Sequence, residues 1–425
     1  MNTPNTAADA SPIAILTSGA AEVIQQDEFA ARLDKARSSG VPLRVKLGVD
    51  PSRPDLHIGH GVVLRKLRQF QDLGHEVVLL IGDFTGRVGD PSGKSTTRPQ
   101  LTAAEVDANA QTYLDQVHRV LDPARTVVRR NSEWLAPLDL GALIRLFGTF
   151  TVARMLERED FARRMAEERP IHLHEFLYPL MQGYDSVALE ADVELGGMDQ
   201  KFNLLAARHV QREWGQTPEI ALLMPLLVGL DGVDKMSKSM GNDVPIDLPP
   251  EEMFGRLMSV ADPLIVPYLE LAAGAPPDAV ARVREGLERG LVHPRLAKAQ
   301  MARAVVDVYW GEAAALRAAD AFDARFARRD LSGDLPETVV PAALWQAGPV
   351  RVVRLLVETG LCASAAEARR LLADGAVEID GERPRQADAV WAAKNGAVVR
   401  VGRHRFARLR LADASPAGDE GGGRA

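Results

Sequence analysis

Leu43-Arg44-Val45-Lys46-Leu47-Gly48-Val49 is followed by Asp50-Pro51-Ser52-Arg53-Pro54-Asp55 and then by Leu56-His57-Ile58-Gly59-His60. The first stretch reads as a strand and the second as a loop. Val62, Val63, Leu67, Phe70 and Leu73 then recur at helical spacing, which predicts a helix over residues 59–73 closed by Gly74. Val77-Val78-Leu79-Leu80-Ile81 is a continuous apolar run, as in a strand buried on both faces. Strand, helix and strand make a βαβ unit with a parallel sheet, so the fold class is α/β. In such sheets ligands lie beyond the carboxyl ends of the strands, where helix N-termini turn unpaired N–H groups and a positive dipole end toward phosphate. His57 and His60 fall at that place.

Far downstream stands Lys235-Met236-Ser237-Lys238-Ser239. A His-x-Gly-His tetrapeptide alone arises by chance, and a Lys-Met-Ser-Lys-Ser stretch alone could be a basic surface loop. Together, in this order and with a strand and helix around the first, they indicate a site that holds a nucleoside triphosphate for adenylate transfer. Gly89-Asp90-Pro91-Ser92-Gly93-Lys94-Ser95 invites comparison with a P-loop, but the glycine that motif needs at position 88 is a valine. The stretch is not a P-loop.

At 425 residues, 46% hydrophobic and 26% charged, the chain is long enough for two or three globular domains. Nothing in it reads as a membrane span. Residues 1–12 are polar and alanine-rich, with no basic segment ahead of an apolar core, so a frayed terminus is expected there and not a signal peptide; the expected location is cytoplasmic. Cys362 is the single cysteine, which excludes intrachain disulfides and a cysteine-rich zinc site and leaves it as a small apolar residue. Residues 351–411 hold 12 Lys or Arg against 7 Asp or Glu, a balance of +5 in a chain of −7, so the remainder carries −12. An acidic body with a basic appendage suits a module that touches a polyanion, although a solvated surface can give the same balance.

Residues 101–155 read as helices with a short strand near Val127, residues 171–185 as a further helical stretch, and residues 187–195 alternate like a strand or sheet edge. The apolar run 222–230, interrupted by Pro225, leads to the turn Asp231-Gly232-Val233-Asp234 and an exposed, mobile loop. Residues 249–327 are expected to be helical, with amphipathic pieces at 251–259 and 277–289, and a linker passes through Asp334-Leu335-Pro336. Two short helices over 352–359 and 365–372 and a strand and turn in Gly375-Ala376-Val377-Glu378-Ile379-Asp380-Gly381 make a last small domain. Residues 415–425, glycine-rich and without an apolar anchor, are expected to be disordered.

Tyr178-Pro179-Leu180-Met181-Gln182-Gly183-Tyr184-Asp185 places Tyr178, Gln182 and Asp185 at i, i+4 and i+7, on one face of a helix. Alone, such a triplet would satisfy itself or nearby backbone groups. Gly196-Gly197-Met198-Asp199-Gln200 changes that balance. Two glycines allow a backbone to approach a ligand, Asp199 offers an acceptor for ribose hydroxyls and Gln200 a donor for a carbonyl, which an aminoacyl adenylate would require.

On these motifs, in this order, the chain resembles the bacterial tyrosyl-tRNA synthetases. These are class I aminoacyl-tRNA synthetases, and the likeness is to the subtype with a Lys-Met-Ser-Lys-Ser loop and a C-terminal S4 domain. The resemblance implies an N-terminal tail and helix (1–40), a Rossmann-like parallel-sheet catalytic domain (41–243), a helical domain (244–328), a linker (329–349), a small α+β S4-like RNA-binding domain (350–412) and a disordered tail (413–425). It implies ATP and tyrosine as substrates, Mg2+ with the ATP, tRNA(Tyr) as acceptor, a homodimer, no resident protein metal site and no membrane. Tyr178 and Gln182, helped by Asp90, would bind the amino group of tyrosine, Asp185 its phenol hydroxyl and Gln200 its carboxylate. Gly48, Asp50 and Asp199 would line the adenosine side, and His57, Gly59, His60, Lys235, Lys238 and Ser239 would complete the ATP site. Of these, His57, His60, Lys235 and Lys238 would stabilise charge on the phosphates. Arg354, Arg369 and Arg370 would contact RNA phosphates. One departure stands out: many relatives have a tyrosine in the first strand where this chain has Lys46, which throws more of the phenol recognition onto Asp185. Two rivals remain at this stage, a tryptophan-activating relative with a similar core and an RNA-binding scaffold that has lost catalysis.

Overall fold

The computed structural model describes residues 11–51, 55–91, 102–326, 337–346, 348–402 and 405–412. The expectations for Ser52 to Pro54, for Ser92 to Ser95, for the linker through Asp334-Leu335-Pro336 and for the terminal tail lie outside the described residues. The chain divides into two compact units, Met1–Phe322 and Asp323–Ala425.

The first unit is built on a six-stranded sheet: β1 (Glu22–Ile24), β2 (Arg44–Val49), β3 (Glu76–Ile81), β4 (Thr126–Arg130), β5 (Val193–Gly197) and β6 (Ile220–Met224), in the order β1-β6-β5-β2-β3-β4. All neighbours are parallel except β1, which runs antiparallel to β6. The helix Ile58–Asp72 joins β2 to β3, as the spacing of its apolar residues predicts. The apolar run of β3 splits between the two faces of the sheet. Val77, Leu79 and Ile81 join Val62, Leu67 and Phe70 of that helix in the main core, while Val78 and Leu80 face a separate cluster with Leu189 and Trp134. Strand order reverses between β2 and β5, and the crevice beyond their carboxyl ends is where an open α/β sheet takes its ligands.

One expectation needs correction. Residues 187–195 are neither a strand throughout nor a sheet edge: the helix Leu177–Leu189 runs on to Leu189, Glu190 caps it at φ 48°, and β5 begins only at Val193, between β2 and β6. Buried Val187, Leu189, Ala191 and Val193 imitate a period of two because a helix end and a strand start adjoin. The edges are β1 and β4. At three residues, β1 is too short to show periodicity.

Residues beyond 249 form the helices Pro250–Leu257, Pro277–Glu288, Pro294–Trp310 and Glu312–Phe326. Met253, Met301, Val305 and Tyr309 share the main core with the sheet. Gly61, in the first turn of the helix after β2, is fixed by this packing: a Cβ there would stand 1.9 Å from the Tyr309 hydroxyl.

The second unit contains β7 (Glu337–Val340), β8 (Val350–Arg351), β9 (Val377–Ile379), β10 (Val390–Trp391), β11 (Val398–Val401) and β12 (Arg405–Leu411). They form a sheet β7-β12-β11-β9 and a two-stranded ladder β10-β8. Helices Val352–Glu358 and Ala365–Ala373 lie where the sequence predicts them. Leu355, Leu356, Cys362, Leu372, Val399 and Leu409 belong to a core of its own. Cys362 is buried in it, as a small apolar residue would be.

Candidate active site

The two motifs that are distant in sequence meet at the crevice. The Ile58 amide donates to the Val244 carbonyl at 2.9 Å and the Ile246 amide to the Leu56 carbonyl at 3.0 Å, so the chain just past the lysine-rich loop is laced to the entrance of the helix Ile58–Asp72. Met236 is buried, and its backbone amide donates to the Leu227 carbonyl at 2.8 Å. A Cβ on Gly59 would lie 3.6 Å from the Met236 Cβ and 2.8 Å from the His57 Nδ1, so glycine lets the loop and the His57 ring close on this turn.

His57 is the N-cap of the helix, and its backbone amide donates to His60 Nδ1 at 3.2 Å, which leaves the proton of a neutral His60 on Nε2. The two rings stand 3.9 Å apart. Burial, then His60 and Lys235, push the His57 pKa down to about 2. Crowding by protein takes His60 down to about 4 against the opposing pull of Asp199, although the residue keeps a solvent-exposed edge. Both imidazoles are therefore neutral at physiological pH, and they stand at a helix N-terminus, where an anion could be met by N–H groups.

The lysine loop stands on Asn242. Its Oδ1 accepts from the Ser237 amide at 2.7 Å, and its Nδ2 donates to Asp231 Oδ2 at 2.5 Å and to the Lys235 carbonyl at 3.3 Å. Asp231 Oδ1 in turn accepts from the Val233 and Asp234 amides, closing the turn. Lys235 Nζ lies 3.2 Å from Asp199 Oδ2, Lys238 pairs with Asp55, and the Ser237 and Ser239 hydroxyls are 2.9 Å apart. Both lysines are exposed, and exposed pairs are worth only about 0–1 kcal/mol, so a triphosphate can take these ammonium groups over.

On the other side of the crevice the helix Leu177–Leu189 presents its polar row. The Tyr178 hydroxyl donates to Asp50 Oδ2 at 2.8 Å, and Asp50 Oδ1 accepts from the Thr85 hydroxyl at 2.9 Å. Gln182 Nε2 donates to Glu194 Oε1 at 3.0 Å. Asp185 is buried and accepts from Trp134 Nε1 at 2.7 Å and from Asn131 Nδ2 at 3.2 Å. Burial raises its pKa to about 7 against the lowering effects of Lys46 and these two donors. Gln200 Nε2 donates to Asp90 Oδ2 at 2.8 Å, and Gln200 Oε1 accepts from Asn203 Nδ2 at 2.8 Å. Arg158, buried, closes that ring through Asn203 Oδ1 at 2.8 Å and Asp90 Oδ1 at 3.5 Å. Between these groups Gly48, exposed at the end of β2, has nothing within 4 Å of where a Cβ would stand.

The structure thus gathers Gly48, Asp50, His57, Gly59, His60, Asp90, Tyr178, Gln182, Asp185, Asp199, Gln200, Lys235, Lys238 and Ser239 in the first unit. Arg354, Arg369 and Arg370 are exposed on the two helices of the second unit. Thr85, Asn131, Trp134, Arg158 and Asn203 join the site without having been singled out in the sequence. They come from scattered segments with no local pattern. Asn242, directly after Gly241, could have been taken together with the lysine motif.

Residues 38–327 match the model of the family tRNA synthetases class I (W and Y). Residues 334–407 match the Tyrosine–tRNA ligase SYY-like C-terminal domain. The chain is 53% identical over 396 residues to the tyrosine–tRNA ligase of Moorella thermoacetica, covering 93% of this chain and 94% of the relative. It is 50% identical over 403 residues to that of Geobacter sulfurreducens, covering 95% and 99%. Its fold is similar to that of a C-terminally truncated Aspergillus nidulans mitochondrial tyrosyl-tRNA synthetase, with TM-score 0.62, 21% identity and coverage of 74% of this chain and 94% of the other. The chain belongs to the tyrosine–tRNA ligase family of the class I tRNA synthetases.

Proposed function

We infer that the chain is a tyrosine–tRNA ligase. It activates tyrosine with ATP to tyrosyl-adenylate and transfers the tyrosyl group to the 3′-terminal adenosine of tRNA(Tyr). The observation that carries the reading is the lacing of the His57 turn to the lysine loop at the strand-order reversal, opposite the polar row of the helix Leu177–Leu189. The tyrosine carboxylate attacks the α-phosphate and pyrophosphate leaves. A carboxylate is already ionised at neutral pH, so no protein nucleophile is needed, and catalysis rests on alignment and on stabilising charge at the phosphate oxygens. His57 and His60 donate N–H groups there. Lys235 and Lys238 exchange Asp199 and Asp55 for the leaving pyrophosphate, and Asp199, once released, is available to the ribose. Asp185 accepts a hydrogen bond from the phenol hydroxyl, Tyr178 and Gln182, helped by Asp90, hold the ammonium group, Gln200 holds the carboxylate, and Gly48 and Asp50 line the adenosine side.

Mg2+ belongs to the nucleotide in this reading. Among the described residues there is no group of three or more His, Cys, Asp or Glu placed to hold a metal ion. The bound ion would supply further neutralisation of phosphate charge.

The remaining parts of the proposal concern the body of the protein. The division into a catalytic part (41–243), a helical part (244–328) and a small RNA-binding part is retained, except that the last begins by β7 (Glu337–Val340), which pairs with β12, and not at 350, with Arg354, Arg369 and Arg370 as RNA-phosphate contacts. A homodimer is supported by apolar exposure: Leu140 (71%) and Ile144 (63%) lie one turn apart on the helix Leu140–Phe147, and Val127 and Val128 are exposed on edge strand β4. No described helix is long and apolar enough to cross a membrane, and the proposed location is cytoplasmic. Transfer of labelled tyrosine to tRNA by the purified chain with ATP and Mg2+ tests the function. Formation of tyrosyl-tRNA is expected, and loading of another amino acid in its place would refute it.

A further inference from the structure

Lys46 points away from the main core. Val45 and Leu47 face the helix Ile58–Asp72, whereas Lys46 lies on the opposite face of the sheet, in register with Val78 of β3 and Glu194 of β5. It is fully buried. Its Nζ is 3.1 Å from Glu194 Oε1 and 3.3 Å from the backbone carbonyl of Gln182, to which it donates. The same Glu194 oxygen accepts from Gln182 Nε2 at 3.0 Å. One ammonium and one carboxylate thus grip both the main chain and the side chain of Gln182, in the middle of the row that ends at Asp185.

We propose that Lys46 is a positioning residue for amino-acid selection: through Glu194 and the Gln182 carbonyl it fixes the turn of helix that carries Gln182 and Asp185. The proposal rests on the tyrosine-activating function inferred above. A buried lysine without partners would be costly, and here the partners are those a positive charge requires. Burial would lower the Lys46 pKa, but Glu194, Glu219, Asp185 and the hydrogen bond to Glu194 together raise it, so the ammonium keeps its charge. Burial, and then the charge of Glu194, push the pKa of Glu219, just ahead of β6, well above the usual carboxylate range. Glu219 accepts from the Ser186 hydroxyl at 3.0 Å, which ties the cluster to the next turn of the same helix. The groups facing Asp185 are therefore Lys46 from β2, Glu194 from β5, and Asn131 and Trp134 from the segment after β4, with Glu219 behind them. Lys46 is the only cation among those groups, and it favours the ionised Asp185 that accepts from a phenol. A methionine of similar length would fill the space while removing both the grip and the charge.

The test is tyrosine-dependent ATP–pyrophosphate exchange by the full chain, measured for the unaltered protein, for Lys46→Met and for Lys46→Arg. Exchange by the unaltered protein tests the function itself and is independent of Lys46. Given that exchange, Lys46→Met should raise the KM for tyrosine about tenfold or more with the KM for ATP within about twofold, the scale of losing a charged hydrogen bond. The pH below which tyrosine binding weakens should move upward, and Lys46→Arg should restore most of the loss. An unchanged tyrosine KM and pH profile, or an equal rise in both KM values, would overturn the proposal. If the single variant folds poorly, the double variant Lys46→Met/Glu194→Gln, which leaves no unmatched carboxylate at Glu194, replaces it. The same selective rise in tyrosine KM is then expected, and a normal one would overturn the proposal.

Discussion

At the scale of single residues, Asp185 carries opposed demands. Its folded pKa, about 7, lies above the ordinary 3.8, so the folded state binds the proton more tightly than the unfolded one. The stability this group gives is fully present below pH 3.8 and is lost as pH rises through about 7. Recognition runs the other way, because a phenol is best accepted by the ionised carboxylate: tyrosine binding should weaken as pH falls below about 7, which a pH series of tyrosine KM would show. Asp185→Ala should cut the preference for tyrosine over phenylalanine about tenfold or more, measured as the ratio of kcat/KM values, since the phenol would lose its acceptor and Trp134 its own as well, while Asn131 keeps the Thr85 hydroxyl. His57→Ala and Lys238→Ala should each slow adenylate formation by roughly 10² or more in single-turnover experiments, the scale for one preorganised donor to a transition state. Near-normal rates in both would remove them from the mechanism. Much of this site was legible in the sequence because His57 to His60, Tyr178 to Asp185 and Lys235 to Ser239 are local patterns. The supporting ring of Arg158, Asn203, Asn131 and Trp134 was not, because its members meet only through tertiary packing, and Lys46 was noticed only as a departure from relatives.

At the scale of elements, the helix Ile58–Asp72 links the candidate site to packing. Its N-terminus holds the two histidines and its first turn lies against Tyr309. Gly61→Ala should cost about 1–3 kcal/mol of stability in denaturant titration, because the added methyl meets the Tyr309 hydroxyl, and Gly61→Ala with Tyr309→Phe should recover part of it. An unaffected midpoint would mean that the helices Pro294–Trp310 and Ile58–Asp72 are not held as described. The βαβ unit could be read from sequence because the periods of 3.6 and the apolar run of β3 are long and strong. The start of β5 could not, since the end of one helix and the start of a strand share buried positions two apart. Short strands such as β1, β8 and β10 carry too few residues for any period, whereas the alternation in Arg405–Leu411 was a usable signal.

At the scale of the molecule, the chain has two units, each with its own core, and the proposal gives activation to the first and tRNA recognition to the second. Replacing Arg354, Arg369 and Arg370 together by alanine should weaken tyrosine transfer to tRNA while leaving pyrophosphate exchange within about twofold, and the gap from the unaltered chain should narrow at higher salt, where the phosphate contacts that the variant lacks are screened in the unaltered chain as well. Equal loss of both activities would contradict that division. The central claim is that one crevice, walled by the His57 turn, the lysine loop and the helix Leu177–Leu189, activates tyrosine. The most direct measurement is exchange of pyrophosphate into ATP by the purified chain with Mg2+, each of the twenty amino acids being added separately. Exchange with tyrosine alone is the predicted result; exchange with tryptophan in its place, or with no amino acid at all, would contradict the account.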